Sequence, residues 1–206
     1  MIFPTKCAVC GRIAEKHICA KCNLNLKKLY RGKTEKIQNR YYEEIFYLYE
    51  YRGNIKRIML DFKFKDKGYL GDFFFELIKT NKKLYDFFEK YDIVIPVPVH
   101  YYRKIKRGYN QSELIIRDIE RICNLKLEKN ILVRLKNLKQ QSKLSRVDRQ
   151  KNIKNVYTIK NIDKIKDKNI IIFDDIYTTG STVNECSRIL KQNGAKSIGV
   201  CTIMRA

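Results

Sequence analysis

The chain has 206 residues, of which 44% are hydrophobic and 32% charged, and its 44 Lys and Arg exceed its 22 Asp and Glu to give a net charge of +22. This hydrophobic content supports a packed core and excludes a wholly disordered chain. The sequence has no run of about 18 uncharged apolar residues, which excludes a membrane-spanning helix. Its first residues lack the charged and apolar regions of a secretory signal, so we expect a cytoplasmic protein.

Positive charge is concentrated in residues 101–155, which contain 16 Lys and Arg but only 5 Asp and Glu. Such a cluster attracts phosphate groups, either on nucleic acid or on a small anionic ligand. A solvated helix face would give the same pattern. The charge therefore leaves both interpretations open.

Four of the seven cysteines form two CxxC pairs near the N-terminus: Cys7, Cys10, Cys19 and Cys22. Two such turns facing each other supply four sulfurs for a tetrahedral zinc ion. The expected compartment argues against disulfides, and two pairs so close together do not fit a thioredoxin-like motif. An iron–sulfur cluster stays an alternative, although its usual spacings differ. We predict a structural zinc with no open coordination position, and we interpret His17, between the pairs, as a bystander.

Apolar periodicity predicts helices that alternate with strands. A short connecting helix is expected within the basic segment 23–40, and Asn54 is the predicted cap of a helix whose apolar stripe includes Phe62. In chain order the other predicted elements are strand 44–51, helix 70–88, strand 92–96, helix 111–122, strand 169–173, helix 181–193 and strand 197–204. The remaining cysteines are predicted core residues: Cys123, Cys186 and Cys201. This alternation predicts an α/β fold with a mostly parallel sheet. We expect residues 1–40 to form a small zinc-binding unit, a zinc ribbon, with its connecting helix, and residues 41–206 to form the main domain.

The most informative stretch runs from Ile170 to Thr182 and combines a buried strand, two acids and a turn that leads into a helix. Asp174 and Asp175 end the strand, where ligands bind in open α/β sheets, and we expect both to face solvent. The turn predicts a phosphate cradle, because glycine permits close approach while N–H groups, hydroxyls and the helix N-terminus favour an anion. Its residues are Thr178, Thr179, Gly180, Ser181 and Thr182. The turn lacks the lysine of a nucleoside-triphosphate P-loop.

Carboxylates beside a phosphate cradle suit a sugar phosphate. They can accept hydrogen bonds from sugar hydroxyls or hold a magnesium ion through water. The sequence therefore predicts a ribose 5-phosphate ligand.

This run resembles the phosphoribosyl pyrophosphate (PRPP) signature of type I phosphoribosyltransferases. The resemblance implies that Asp174 and Asp175 contact the ribose hydroxyls, that residues 178–182 hold the 5-phosphate, and that Mg²⁺ accompanies PRPP. Further segments occur in the order seen in the ComF family of competence proteins: the cysteine pairs, Tyr51-Arg52-Gly53, Phe62-Lys63-Phe64, Pro96-Val97-Pro98, Arg107 to Gln111, and Gln141 to Asn152. That similarity implies a zinc ribbon joined to a phosphoribosyltransferase fold. It also implies a role in natural transformation, handling single-stranded DNA, with a DNA-uptake helicase or recombination proteins as partners.

Three more segments are assigned by this resemblance. Pro96-Val97-Pro98 is similar to a pyrophosphate-side loop, in which Val97 contacts PRPP and a strained or cis peptide would direct N–H groups at the ligand. Arg103 and Arg107 follow and are predicted to neutralise the pyrophosphate. The segment from Arg134 to Arg149 resembles a mobile hood over the site. His100 is either a site residue or a solvated loop residue.

Three functions fit these observations. The first is a PRPP-binding protein that engages single-stranded DNA, with Tyr101, Tyr102 and Tyr109 available to stack on bases unless they belong to the core or rim. The second is an active phosphoribosyltransferase that joins a base or other nucleophile to PRPP, although no distinct acceptor pocket is visible in the sequence. The third is a ligand sensor that regulates a partner. We take the first as the predicted function.

Overall fold

The computed structural model describes residues 6–15, 18–135 and 156–206. His17 and the segment expected to form most of the hood, including Gln141 to Asn152, lie outside these residues. In the described ranges no helix is long and apolar enough to cross a membrane.

Helices and strands alternate along the described chain as the periodicity predicts. The helices are α1 (Ala20–Lys27), α2 (Gly53–Phe64), α3 (Leu70–Lys79), α4 (Lys82–Phe88), α5 (Tyr101–Arg107), α6 (Gln111–Ile115) and α7 (Ser181–Gln192). The strands are β1 (Tyr30–Lys36), β2 (Glu44–Glu50), β3 (Ile93–Pro96), β4 (Lys126–Leu127), β5 (Leu132–Arg134), β6 (Tyr157–Ile159), β7 (Asn169–Tyr177) and β8 (Ser197–Arg205). Two short 3-10 turns cover Ile119–Arg121 and Ile162–Lys164.

Six strands form one sheet in the order β1-β2-β8-β7-β3-β4, and β5 pairs with β6 in a separate antiparallel ribbon. Only the β1–β2 pairing within the large sheet is antiparallel. The predicted α/β class with a mostly parallel sheet is therefore confirmed. After β3 the chain continues to β4 on one side, whereas after β7 it continues to β8 on the other. Ligands bind at such a switch point, beyond the carboxyl ends of the strands.

The sheet is buried on both faces. Ile171 and Phe173 of β7 pack into one apolar cluster with α2, α3 and α4, while Ile170 and Ile172 pack into a second cluster with α7. This pattern follows from the alternation of side chains along a strand, and it explains why β7 is continuously apolar. Cys186 and Cys201 are fully buried as predicted, whereas Cys123 is only half-buried.

Several element boundaries differ from the sequence-based expectation. The segment 23–40 contains the end of α1 and also the polar edge strand β1, which pairs with β2. The sequence of β1 alone does not predict this pairing. The predicted helix 70–88 is two helices, because the Asn81 side chain accepts a hydrogen bond from the Leu84 N–H and starts α4 there. Asn54 is not a cap, since it lies inside α2 after Arg52. The predicted helix 111–122 ends at Ile115 and is followed by a 3-10 turn.

The N-terminal segment packs against the main body of the protein. Cys7, Val9, Cys22 and Leu26 belong to the same apolar cluster as the buried stripe of α2. The Arg57 guanidinium of α2 also donates to the carbonyl of Val9. The division into residues 1–40 and 41–206 stays a prediction.

Candidate functional site

The predicted site residues converge at the carboxyl edge of the sheet, where the neighbouring strands β3 and β7 end. Pro96 pairs with Phe173, so the Pro96-Val97-Pro98 turn lies beside the acids that follow Phe173. The acids themselves are part of β7, which continues through them to Tyr177.

The two acids differ in their surroundings. Asp175 is 6% exposed, and its Oδ1 accepts a hydrogen bond from the Lys63 Nζ at 2.8 Å. The expectation that both acids face solvent is therefore wrong for Asp175, because a helix outside the strand covers it. Asp174 is partly exposed, and its Oδ1 accepts from the Ser112 Oγ at 3.3 Å and from the Asp175 N–H at 2.9 Å.

Asp174 does not behave as an ordinary surface carboxylate. Burial and, after it, the charge of Asp175 raise the pKa of Asp174 to about 7. Lys63 and the hydrogen bond from Ser112 act in the opposite direction without cancelling the rise. Near neutral pH this group can therefore either donate or accept a hydrogen bond.

The turn after β7 is formed by backbone and hydroxyl groups. Gly180 has a φ of 72°, and a Cβ there would lie 2.4 Å from the Tyr177 hydroxyl oxygen, so only glycine fits. The Thr179 and Ser181 hydroxyl oxygens are 2.9 Å apart. One pocket of about 40 Å³ is lined by Asp174 and by residues 176–183. The structure thus places an acid and the whole predicted phosphate turn around one small cavity at the start of α7.

The turn after β3 is fixed by hydrogen bonds. Val97 is buried, its N–H donates to the Phe173 carbonyl at 2.9 Å, and its carbonyl accepts from Asn110 Nδ2 at 3.0 Å. Every described peptide bond is trans, and φ is not positive anywhere from Pro96 to Pro98. The expectation of a cis peptide is therefore wrong, and the Val97 N–H donates to the sheet and is not free for a ligand.

The segment from Arg107 to Ser112 joins this turn to the acids. Arg107 lies over the Phe64 ring at 5.0 Å and donates to Gln111 Oε1 at 2.9 Å. Tyr109 stacks on Phe62 and donates to its carbonyl at 2.7 Å. Tyr109 is therefore packed against the core and is not free to stack on bases.

Positive charges on α5 and β5 lie close to one another. Arg103 is exposed on α5, and burial together with Arg103 lowers the pKa of Arg107, while Asp175 acts in the opposite direction. Burial and the charges of Arg134 and Arg103 lower the pKa of His100, whose Nδ1 accepts from the Tyr102 N–H at 3.3 Å and caps α5. His100 therefore has a structural role at the start of this helix.

Arg134 of β5 is a further arginine in this region. Its guanidinium lies over the Tyr157 ring of β6 at 5.6 Å, and its buried Nε has no hydrogen-bond partner among the described residues. The sequence assigned Arg134 only to the start of the hood. The charges of Arg134 and Arg103 both act on His100, so these two arginines lie in the same region. We call Arg103, Arg107 and Arg134 the positive rim.

The four N-terminal cysteines form a second candidate site. The sulfurs of Cys7, Cys10, Cys19 and Cys22 lie within 4.8 Å of one another, and those of Cys10 and Cys19 are 3.9 Å apart. A tetrahedral ion with metal–sulfur bonds of about 2.3 Å has sulfur–sulfur edges of about 3.8 Å, so the cluster can hold a metal ion.

Backbone groups already favour one thiolate in this cluster. Burial alone would raise the pKa of Cys7, but hydrogen bonds from the Cys19 and Cys10 backbone outweigh it and lower the pKa to about 6. Burial raises the pKa of Cys22 instead. A cation at the centre is what would make all four sulfurs ligands at neutral pH.

Sequence reasoning missed three residues that touch the acids or the turns around them: Lys63, Ser112 and Asn110. Each belongs to a segment that the family resemblance had already marked or to the residues just after it. The family resemblance includes both Phe62-Lys63-Phe64 and Arg107 to Gln111, and this was the available signal. Neither motif shows which carboxylate its polar groups contact.

Comparison with known proteins finds a matching family model and several similar sequences. Residues 87–206 match the phosphoribosyl transferase domain. Competence protein ComFC of Bacillus subtilis is 30% identical over 203 residues, which cover 97% of this chain and 78% of that protein. Competence protein F of Haemophilus influenzae is 34% identical over 116 residues, covering 56% of this chain and 51% of that one. The DNA utilization protein YhgH of Escherichia coli K12 is 31% identical over 114 residues, covering 55% and 49%. The chain therefore spans about half the length of the Haemophilus and Escherichia relatives.

Proposed function

This chain belongs to the ComF-type competence proteins with a phosphoribosyl transferase domain, and from that premise we propose that it binds PRPP and handles single-stranded DNA during natural transformation. The observation that carries the proposal is the pocket that Asp174 shares with the turn from Thr178 to Thr182. A 5-phosphate in that turn would bring the ribose hydroxyls to the acid pair.

The charge distribution suits a ligand with phosphates at both ends. The turn after β7 offers hydroxyls and the N-terminus of α7 to the 5-phosphate. The rim residues Arg103, Arg107 and Arg134 offer guanidinium groups to the pyrophosphate, which binds arginine through charge-assisted hydrogen bonds. Mg²⁺ would accompany the pyrophosphate, since it commonly binds substrate phosphates and keeps several waters.

Helix α5 and the end of α2 present the surface we assign to single-stranded DNA. Tyr102, Ile105 and Phe64 are exposed to 71%, 61% and 70%, beside the basic residues of α5. Aromatic rings stack on bases without sequence preference, and lysine and arginine contact the backbone. The competence and DNA utilization proteins in the comparison support this assignment by their names.

Zinc is the metal we assign to the cysteine cluster. Four thiolates in a tetrahedron suit zinc and leave no position for water or substrate. The ion would then stabilise the fold and take no part in the chemistry. The protein is expected to act in the cytoplasm, where DNA that has entered the cell is processed.

Titration calorimetry of the purified protein with PRPP and Mg²⁺ tests the small-molecule part of this proposal. We expect one PRPP per chain, competition by pyrophosphate, and much weaker binding of ribose 5-phosphate. Absence of PRPP binding at millimolar concentration would contradict it.

Fluorescence anisotropy of a labelled oligonucleotide tests the DNA part. We expect affinity for single strands that falls steeply with salt, because phosphate contacts release counterions. Weak binding even at low salt would contradict it and leave the alternative, an ordinary phosphoribosyltransferase. That alternative predicts pyrophosphate release when PRPP, Mg²⁺ and a panel of bases are incubated with the protein.

A further inference from the structure

The residue that balances the charge of the acid pair lies outside the matched domain. Lys63 is in the last turn of α2, upstream of residues 87–206, and its Nζ lies 2.8 Å from Asp175 Oδ1. The two side chains are only 19% and 9% exposed. A pair this well covered is not a mobile surface contact.

The end of α2 is held rigidly enough to fix this contact. Phe62 is fully buried, and Tyr109 both stacks on its ring at 5.3 Å and donates to its carbonyl. On the other side of Lys63, the Phe64 ring lies under the Arg107 guanidinium. Both neighbours of Lys63 therefore contact the segment 107–112. The same segment contains Ser112, which donates to Asp174.

The repulsion in the acid pair can be relieved in two ways, by a nearby cation or by a proton on Asp174, whose pKa is raised to about 7. Two adjacent carboxylates at a covered strand end repel each other, and a buried charge without a partner strongly destabilises the folded state. A divalent ion is one possible cation and an ammonium is another, and the two repel each other when they share one carboxylate. Mg²⁺ needs near-ideal octahedral geometry at about 2.0–2.1 Å from its ligands. The Lys63 ammonium already occupies the approach to Asp175 Oδ1.

We propose that Lys63 is the resident counter-cation of the acid pair: it holds Asp175 in place for the ribose hydroxyls and takes the position of a protein-bound divalent ion. Mg²⁺ then reaches the site only on the phosphates of the ligand. This inference rests on the proposed function for the identity of the ligand, and it makes Lys63 a positioning residue that acts through Asp175.

The experiment compares Lys63→Met with a matched control, Lys67→Met. Lys67 lies just beyond the same helix and pairs with Asp61, at 2.7 Å, instead of with the acid pair. By calorimetry with PRPP and Mg²⁺, we expect Lys63→Met to lose at least about tenfold in affinity and Lys67→Met less than about twofold, because only the first leaves a site carboxylate unpaired. Lys63→Arg, which keeps the charge, should stay closer to wild type than Lys63→Met. Equal affinity of wild type and Lys63→Met would overturn the proposal.

A double-mutant cycle shows whether Lys63 acts through Asp175. In an Asp175→Asn background, which also avoids a buried unpaired carboxylate if Lys63→Met alone folds poorly, the lysine substitution should change PRPP affinity less than about twofold. A loss as large as that in the wild-type background would mean that Lys63 contacts the ligand itself, which contradicts a positioning role.

Mn²⁺ without PRPP separates this inference from the proposed function. By electron paramagnetic resonance, we expect Lys63→Met to gain a Mn²⁺ site that is absent from wild type and from Lys67→Met, and that Asp175→Asn removes. This readout needs no PRPP, so wild type that fails to bind PRPP would refute the proposed function alone. A Mn²⁺ site at the acid pair of wild type, or none in a folded Lys63→Met variant, would refute the counter-cation.

Discussion

The cysteine cluster and the acid pair both bring groups of one kind together, four sulfurs within 4.8 Å in one case and two adjacent carboxyl groups in the other. In the cysteine cluster backbone N–H groups contact Cys7, and the four sulfurs could hold the metal ion that we propose there. In the acid pair the chain supplies its own cation, Lys63. On the proposed function, the cation of the cysteine cluster would come from solution, whereas the cation of the acid pair is part of the chain.

The largest effect should come from removing the external cation. Cys10→Ser should lower bound zinc and reduce Tm by roughly 10 °C or more, because structural metal binding contributes folding free energy. Metal analysis and scanning calorimetry measure the two together. Cys123→Ser is the matched control, since this half-buried thiol lies outside the cluster. If purified wild-type protein contains neither zinc nor iron, the proposal that the cysteine cluster binds a metal ion is wrong.

Neutralising the acids should be the next largest effect, and it should spare the fold. Asp174→Asn combined with Asp175→Asn keeps the shapes of both side chains but removes two charged acceptors. We expect PRPP affinity to fall on the order of 100-fold or more, at about 1.5–3 kcal/mol for each charge-assisted hydrogen bond. Asp72→Asn on α3, whose carboxylate pairs with Arg117, serves as the control. Unchanged affinity in the folded double variant would remove the acids from the site.

The raised pKa of Asp174 predicts how the stability of the protein depends on pH. Because the pKa of Asp174 is raised to about 7 in the folded protein, from about 3.8, the folded state holds this proton more tightly. Its burial should therefore cost stability progressively as pH rises from about 4 to 7. Asp174→Asn should remove that cost and stabilise the protein at pH 8 by on the order of 2 kcal/mol, with little change at pH 4. Denaturant unfolding at both pH values measures the difference, and equal shifts at both would contradict the assignment.

The smallest effect is expected on the exposed rim. Arg103→Ala should weaken both PRPP and single-stranded DNA, by roughly tenfold for an ordered phosphate contact, and reduce the salt slope for DNA by about 0.7. Arg107 is a poorer probe, since it also holds Phe64 and Gln111. Arg121→Ala, an exposed arginine elsewhere, is the control. If PRPP binding falls while the DNA salt slope stays unchanged, the nucleic acid binds another surface.

Local patterns predicted much of this molecule. The apolar run of β7, the turn at Gly180 and the apolar stripe of α2 each depend on neighbouring residues, so their sequences were sufficient. The cysteine pairs were equally readable, because each CxxC brings two sulfurs together within one turn.

Long-range contacts explain the rest. Lys63 and Asp175 are 112 residues apart, and no periodicity links them. The polar strand β1 forms because it pairs with the edge of β2. The break at Asn81 depends on one side-chain hydrogen bond within the polar segment 79–83, which separates two apolar stretches. The burial of Asp175 likewise depends on a helix that comes much earlier in the chain.

Helix α2 limits which insertions the chain can accept. Its Arg57 contacts the carbonyl of Val9 next to the cysteines, and its Lys63 contacts Asp175 in the other site. Each residue added between them would turn Lys63 by about 100° and move it by about 1.5 Å, withdrawing the ammonium from the carboxylate while Arg57 stayed in place. Loops elsewhere can vary in length, but the six-residue step from Arg57 to Lys63 must be kept as a fixed count for both ends of the helix to meet their partners.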